Sequence, residues 1–301
     1  MKNISIIYRR EIKLLFSSLA GWIFLALNIA AVGICAVWLC FKNGNPSYQY
    51  VPETASLILC FTVPLLHAMT VGAEWKRGES AMLLRYVSPF SVTVGKYLAE
   101  LTLFSVPSVI AAIFPLILLP FGVASLTAAY ISVITYVLVG MALFSLSFFI
   151  VSLIKLPVVG GIVALVVSLL LNVVSNIAKV IGVGQELPFV LTAVVLTALI
   201  AAITFTYLDN AVIPVALTLI CSVTVLILAV SGTASTLLRP ILQLLSPQYA
   251  FYENIYGTVS VRGIIQPILF LAVFLGFTVL NHANYNKKLT VSFNKNGKVG
   301  E

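Results

Sequence analysis

Apolar runs of eighteen or more residues recur along the whole chain, and they leave it few folds. Eight such segments are read, at about 19–41, 54–72, 98–121, 126–153, 157–178, 187–208, 211–231 and 264–282. A helix of about 21 residues rises about 31 Å, enough to cross the hydrocarbon core of a bilayer. Inside that core each backbone N–H and C=O must be satisfied within its own segment, so the spans are expected to be helices. A transmembrane barrel would show alternating stretches of about ten residues instead, and the sequence shows none. The expectation is an all-α polytopic membrane protein of about eight transmembrane helices. The number falls to six if 187–208 and 211–231, joined by Leu208-Asp209-Asn210, form a re-entrant hairpin.

Composition agrees with a single transmembrane domain over residues 1–301. Hydrophobic residues make up 61% of the chain and charged residues 9%, against about 45–50% and about 25% in soluble domains. The basic start leads into a span too long for a signal-peptide core and without a cleavage site, so no cleaved leader is expected. Cys35, Cys40, Cys60 and Cys221 all lie in apolar segments at no metal or redox spacing, and read as buried hydrophobes.

Basic residues set the orientation. With the N-terminus in the cytosol, the inside holds Lys2, Arg9, Arg10, Lys13, Lys76, Arg77, Arg85, Lys96, Lys155, Lys287, Lys288, Lys295 and Lys298. The outside holds Lys42, Lys179, Arg239 and Arg262. Both termini are therefore expected in the cytosol, in a plasma membrane of bacterial type. The net charge of +8 reads as membrane-orienting, with no nucleic-acid motif beside it. Residues 1–17 place Ile4, Ile7, Tyr8, Ile12 and Leu15 on one helical face and Lys2, Arg9 and Lys13 on another, which reads as an interfacial amphipathic helix. An extracytoplasmic re-entrant or interfacial region is expected over 232–263, with a short amphipathic helix at 235–245 ended by Ser246-Pro247.

Chemistry of its own has little support. Neither Gly95-Lys96-Tyr97 nor Gly297-Lys298-Val299 has the glycines and the following Ser or Thr of a phosphate-cradling loop. There is no HExxH and no Gly-x-Ser-x-Gly elbow, so no enzyme, cofactor or metal is expected. Few ionisable residues lie at membrane depth, which argues against ion or proton coupling; Glu100 is read at a cytosolic helix end. Energy for any transport is then expected from another subunit.

Between the second and third segments runs a charged stretch, residues 73–97, containing Glu74, Lys76, Arg77, Glu79, Arg85 and Lys96. With it, three sets of residues carry a resemblance. The first is Tyr8-Arg9-Arg10-Glu11 with Phe16, Ser17 and Gly21-Trp22-Ile23-Phe24. The second is Ala73-Glu74-Trp75-Lys76-Arg77-Gly78 with Ser88-Pro89 and Gly95-Lys96-Tyr97-Leu98-Ala99. The third is Leu245-Ser246-Pro247 with Gly257. In order and placement they resemble type-2 ABC transporter permeases (the ABC-2 superfamily), in particular its gliding-motility branch. The chain departs from that pattern at Gly78-Glu79-Ser80, where the family has Gly-Thr, and in its additional pair at 187–231.

The resemblance implies a permease subunit paired with a second one, homologous or identical, above two ATPase subunits. The charged stretch would supply a coupling helix, with Glu74, Lys76, Arg77, Gly78 and Glu79 docking the ATPase and Met82, Leu83 and Leu84 anchoring. Mixed charges on a short helix would steer and register such a contact. It implies export of a cargo among membrane lipids, or alternatively force transmission or anchoring in an envelope complex with an extracytoplasmic accessory protein and no cargo. Within the membrane, His67 reads either as lining a pathway or as an interhelical hydrogen bond. Ser168, Asn172, Ser175, Asn176 and Lys179 share one helical face, which reads as a dimer interface or a wet vestibule. Pro107, Pro115 and Pro120 read as bends or a hinge.

Overall fold

A computed structural model describes residues 2–42, 47–121, 125–180, 246–254 and 257–297, and six isolated positions between 197 and 244. Side chains are described up to 173 in the helix at 157–180 and up to 287 in the last helix. The chain divides into two compact units, Met1–Leu169 with Ala250–Glu301, and Leu170–Tyr249.

All the regular structure among the first unit's described residues is helical. Helix α1 (Lys2–Ser17) precedes α2 (Leu19–Ala36), which continues as a π-helical turn over Val37–Lys42. Helix α3 (Tyr50–His67) likewise runs into a π-helical turn, Ala68–Gly72, and on into α4 (Ala73–Arg77). Helix α5 (Glu79–Tyr86) is followed by α6 (Pro89–Leu118) and α7 (Leu126–Ile154). Helix α8 (Pro157–Val180) starts in the first unit, and α9 (Tyr249–Asn254) and α10 (Val261–Gly297) close the chain. Among the described residues, five helical stretches are long and apolar enough to cross a membrane: Leu19–Lys42, Tyr50–Arg77, Pro89–Leu118, Leu126–Ile154 and Val261–Lys287. These carry five of the expected segments. A sixth falls on α8, whose described apolar part, Pro157–Val173, is shorter. Apart from those six isolated positions, the expected segments 187–208 and 211–231 and the helix at 235–245 lie outside the described residues.

Helix α7 is the hub. It packs against α3, α6 and α10, and 72% of its apolar window is buried, against 28% in α10. Its Tyr136 and Phe144 meet Phe104 of α6 and Phe24 of α2 in edge and tilted ring contacts 5.4–5.6 Å apart. Leu59, Leu66 and Leu103 fill the space around those rings. Polar contacts sit between helices at isolated points. Asn28 of α2 donates to Thr62 of α3 at 3.0 Å, and Asn254 of α9 donates to Thr135 of α7 at 3.0 Å. Pro107 and Pro115 fall inside one continuous helix, and Pro120 lies in the 3-10 turn that ends it.

Helix α1 forms where the amphipathic pattern expects a helix, and it lies along the start of α6. Its Ile7 and Leu15 are buried, and Tyr8 meets Thr102 at 3.1 Å. The approach is close at Gly95, where a Cβ would stand 2.9 Å from Ile7 Cγ2, so only glycine admits α1 there. In the second unit, Ser246 donates to the Leu171 carbonyl at 2.7 Å, tying the turn after the undescribed segment to α8.

Candidate functional site: a buried charge ladder beneath a short external helix

The charged stretch at 73–97, expected to supply a short helix between the second and third spans, is almost entirely helix. The second span does not stop near residue 72 but continues to Arg77, and the third begins at Pro89 rather than near 98. Helix α5, eight residues long, is all that stands between them. Two local devices fix its ends. Gly78, at φ 80°, takes the left-handed conformation that ends α4, and its N–H returns to the Glu74 and Trp75 carbonyls. Ser88 caps α6, its hydroxyl accepting from the Ser91 N–H, with Pro89 in the first turn.

Under α5 the charges gather in two rungs between α3–α4 and α6. In the first, Lys96 of α6 donates to Glu74 of α4, both 4% exposed. Ser80 of α5 donates to the same Glu74 oxygen at 3.1 Å. Glu11 of α1 stands 3.8 Å from the Lys96 ammonium, and its Oε1 has no hydrogen bond. Burial pushes the Glu11 carboxyl above its ordinary value; Lys96 lowers it, Glu74 raises it further, and Arg10, 3.7 Å away, lowers it. In the second rung, His67 of α3 meets Glu100 of α6 at 3.0 Å. His67 Nδ1 lies 2.9 Å from the Val63 carbonyl and so must donate to it. Its Nε2, on the other side of the ring, faces the Glu100 carboxyl, in a site walled by the rings of Phe144 and Phe148.

A second cluster braces α4 from the other side. Trp75 packs edge-on to Tyr285 of α10 at 5.0 Å and lies 5.7 Å from the His282 ring. Lys155, which ends α7 in the left-handed region, places its ammonium 3.8 Å over Tyr285 and 5.0 Å over Trp75.

The residues expected to dock a partner therefore divide. Glu74 is turned inward and paired, so it holds the scaffold and offers nothing to a docking surface. Glu79 is half-exposed and engaged by Arg10 at 3.3 Å and Arg77 at 2.9 Å. Lys76 and Arg77 are exposed and line a groove between α3 and α8. What α5 presents outward is Met82, Arg85 and Tyr86, with Phe90 beside them at the start of α6. Leu84, expected as an anchor, is buried beneath.

His67 is fully enclosed. It makes the interhelical hydrogen bond of its two readings, to Glu100. Glu100 is not at the helix end: it lies eleven residues past Pro89, about 16 Å along α6. Of the polar face on α8, Ser168 is buried and donates to the Cys60 carbonyl of α3 at 2.8 Å, and Asn172 is also buried. Ser175, Asn176 and Lys179 belong to α8, but their side chains lie outside the described residues. Among the described residues no three metal-ligating side chains come together.

Sequence reasoning missed Glu11, Lys96 and Glu100 as one cluster with Glu74 and His67. One signal was available. Glu11 is four residues from both Ile7 and Leu15, which puts a carboxylate on the apolar face of α1. No family model matches the sequence, and no curated protein and no solved structure matches it.

Proposed function

We propose that this chain is the membrane permease subunit of an ATP-driven transporter, working as one of a pair and exporting its cargo, with a separate ATPase docking on α5 from the cytosol. The observation that carries this reading is the build of α5. It is short and external, and it is tied to the helices on both sides of it through Ser80–Glu74–Lys96. Its exposed side chains include Met82 and Tyr86, 66% and 72% exposed, and Arg85, and Phe90 is exposed at the start of α6. Methionine, aromatic and arginine side chains are the types enriched at protein interfaces. A helix built this way passes a push from a partner into several spans at once, as a rigid-body transition requires. The basic residues concentrated at this end support a cytosolic side for it, where ATP is.

The test is purification of the tagged chain in mild detergent from the cells that make it. One nucleotide-hydrolysing subunit per chain should accompany it. Met82→Glu and Tyr86→Ala should each lower that recovery by about tenfold, the effect of one hot-spot side chain, while the chain itself still folds. Absence of any ATPase from the wild-type preparation, or unchanged recovery with both variants, would overturn the reading.

A further inference from the structure

We infer that the groove between α3 and α8 is a binding site for one anionic phospholipid of the leaflet on the α5 side. The groove has a volume of about 750 Å³, within the roughly 300–1,000 Å³ of small-molecule sites. Its walls are Leu65 and Met69 of α3 and its π-helical turn, and Ile162 and Leu165 of α8. Its floor is the point where the two helices touch: a Cβ on Gly161 would stand 2.6 Å from the Ala68 Cβ. Polar side chains enter it at one end, where Lys76 and Arg77 stand.

Three features select this occupant. The first is length. Leu65 to Lys76 is eleven helical residues, about 16 Å, which matches the roughly 15 Å of hydrocarbon in one leaflet. A polar ligand would leave the walls unused, and a transbilayer helix would run past the charged end. The second is charge. Lys76 forms no ion pair among the described residues, and Arg77 gives one edge, Nε, to Glu79 at 2.9 Å and keeps its remaining nitrogens. Two adjacent cations at the end of an apolar slot suit a phosphate at headgroup depth, with Arg77 able to bind it in a forked geometry. The third is position. Helix α8 begins at Pro157, on the same rim, and the N-terminal end of a 24-residue helix adds partial positive charge there. The other cation nearby, Lys155, is turned away onto Trp75 and Tyr285.

The inference needs the chain to lie in a membrane but does not need it to transport anything, so it stands or falls apart from the ATPase reading. The experiment is native mass spectrometry of the chain released from nanodiscs of phosphatidylglycerol with phosphatidylcholine, beside nanodiscs of phosphatidylcholine alone. One phosphatidylglycerol per chain should be retained from the mixture. The double variant K76Q/R77Q, altered only at exposed positions, should lower its retention about tenfold to thirtyfold, the loss of two near-surface cations. Ala73→Phe, which narrows the groove beside the cations, should lower retention of both lipids. Equal retention of the two lipids by the wild type, or undiminished phosphatidylglycerol on K76Q/R77Q, overturns the proposal. So does cross-linking of two copies through Ile162→Cys with no lipid held, since a second chain would then be the occupant.

Discussion

Replacing Lys96 with methionine tests whether the ladder beneath α5 is a structural joint. The change keeps the length and apolar stem of the side chain and removes only the cation. Lys96 is the shared partner of Glu74 and Glu11, and all three side chains are less than a tenth exposed. Without it, two carboxylates remain buried in one cluster. The nearest remaining cation is Arg10, half-exposed and 3.7 Å from Glu11. Removing one partner of a buried ion pair costs about 3–5 kcal/mol, because the charge left behind is uncompensated. Removing both costs less than the sum of the two single losses, so Glu74→Met should cost about 2–3 kcal/mol less on the Lys96→Met background than in the wild type. Reversible unfolding in mixed micelles, followed by helical circular dichroism, gives all four corners of that cycle. A Lys96→Met cost below about 1 kcal/mol, the worth of a solvent-screened surface pair, would refute the reasoning. It would mean that water reaches the cluster and the burial is not what sets its energy.

Two further predictions use the same assay. Burial raises the Glu11 carboxyl above its ordinary 4.5, so the folded state holds that proton more tightly than the unfolded chain. Its contribution is complete below about pH 4.5 and is lost as pH rises through the raised value. Glu11→Gln should flatten that fall above pH 4.5, and an unchanged slope would show that the carboxylate is solvated. Gly78→Ala should cost about 1–2 kcal/mol through the backbone alone, because φ is 80° and a Cβ there meets no atom within 4 Å. Gly78→Asn should cost less, and a neutral alanine would show that α4 and α5 can re-form their junction without the left-handed residue.

What the sequence carried, and what it did not, divides along a physical line. Apolar length and helical period are local properties, and they placed α1, the described spans and the polar face through Ser168 and Asn172. The joints between helices are not local. Glu74 meets Lys96 across 22 residues, His67 meets Glu100 across 33, and Ser168 meets Cys60 across 108. Charge counting treats Lys96 as one more basic residue on the cytosolic side, because period alone does not say which two faces will meet. It also hides how far the second span runs. Glu74, Lys76 and Arg77 look like loop residues by hydropathy, yet the helix persists until Gly78 ends it. The π-helical turns at Val37–Lys42 and Ala68–Gly72 left no trace in the sequence. Each is a one-residue change in hydrogen-bond register, settled by packing.

The position of α5 depends most on one side chain. Its two exposed ion pairs, Arg10–Glu79 and Arg77–Glu79, join partners that are 38–60% exposed, and pairs of that kind contribute about 0–1 kcal/mol each. They add register but little stiffness. The buried node differs, because Glu74 accepts from Ser80 of α5 and from Lys96 of α6 while belonging to the helix that continues the second span. Three elements converge on one carboxylate, and Glu11 brings α1 to the same place through Lys96. A displacement of α5 must then either break a buried charge-assisted contact or move α3–α4, α6 and α1 with it, and the second is cheaper wherever those helices can slide in lipid. On that ground Glu74, itself buried, is the residue through which, in the proposed reading, a push on Met82 and Tyr86 would reach the spans.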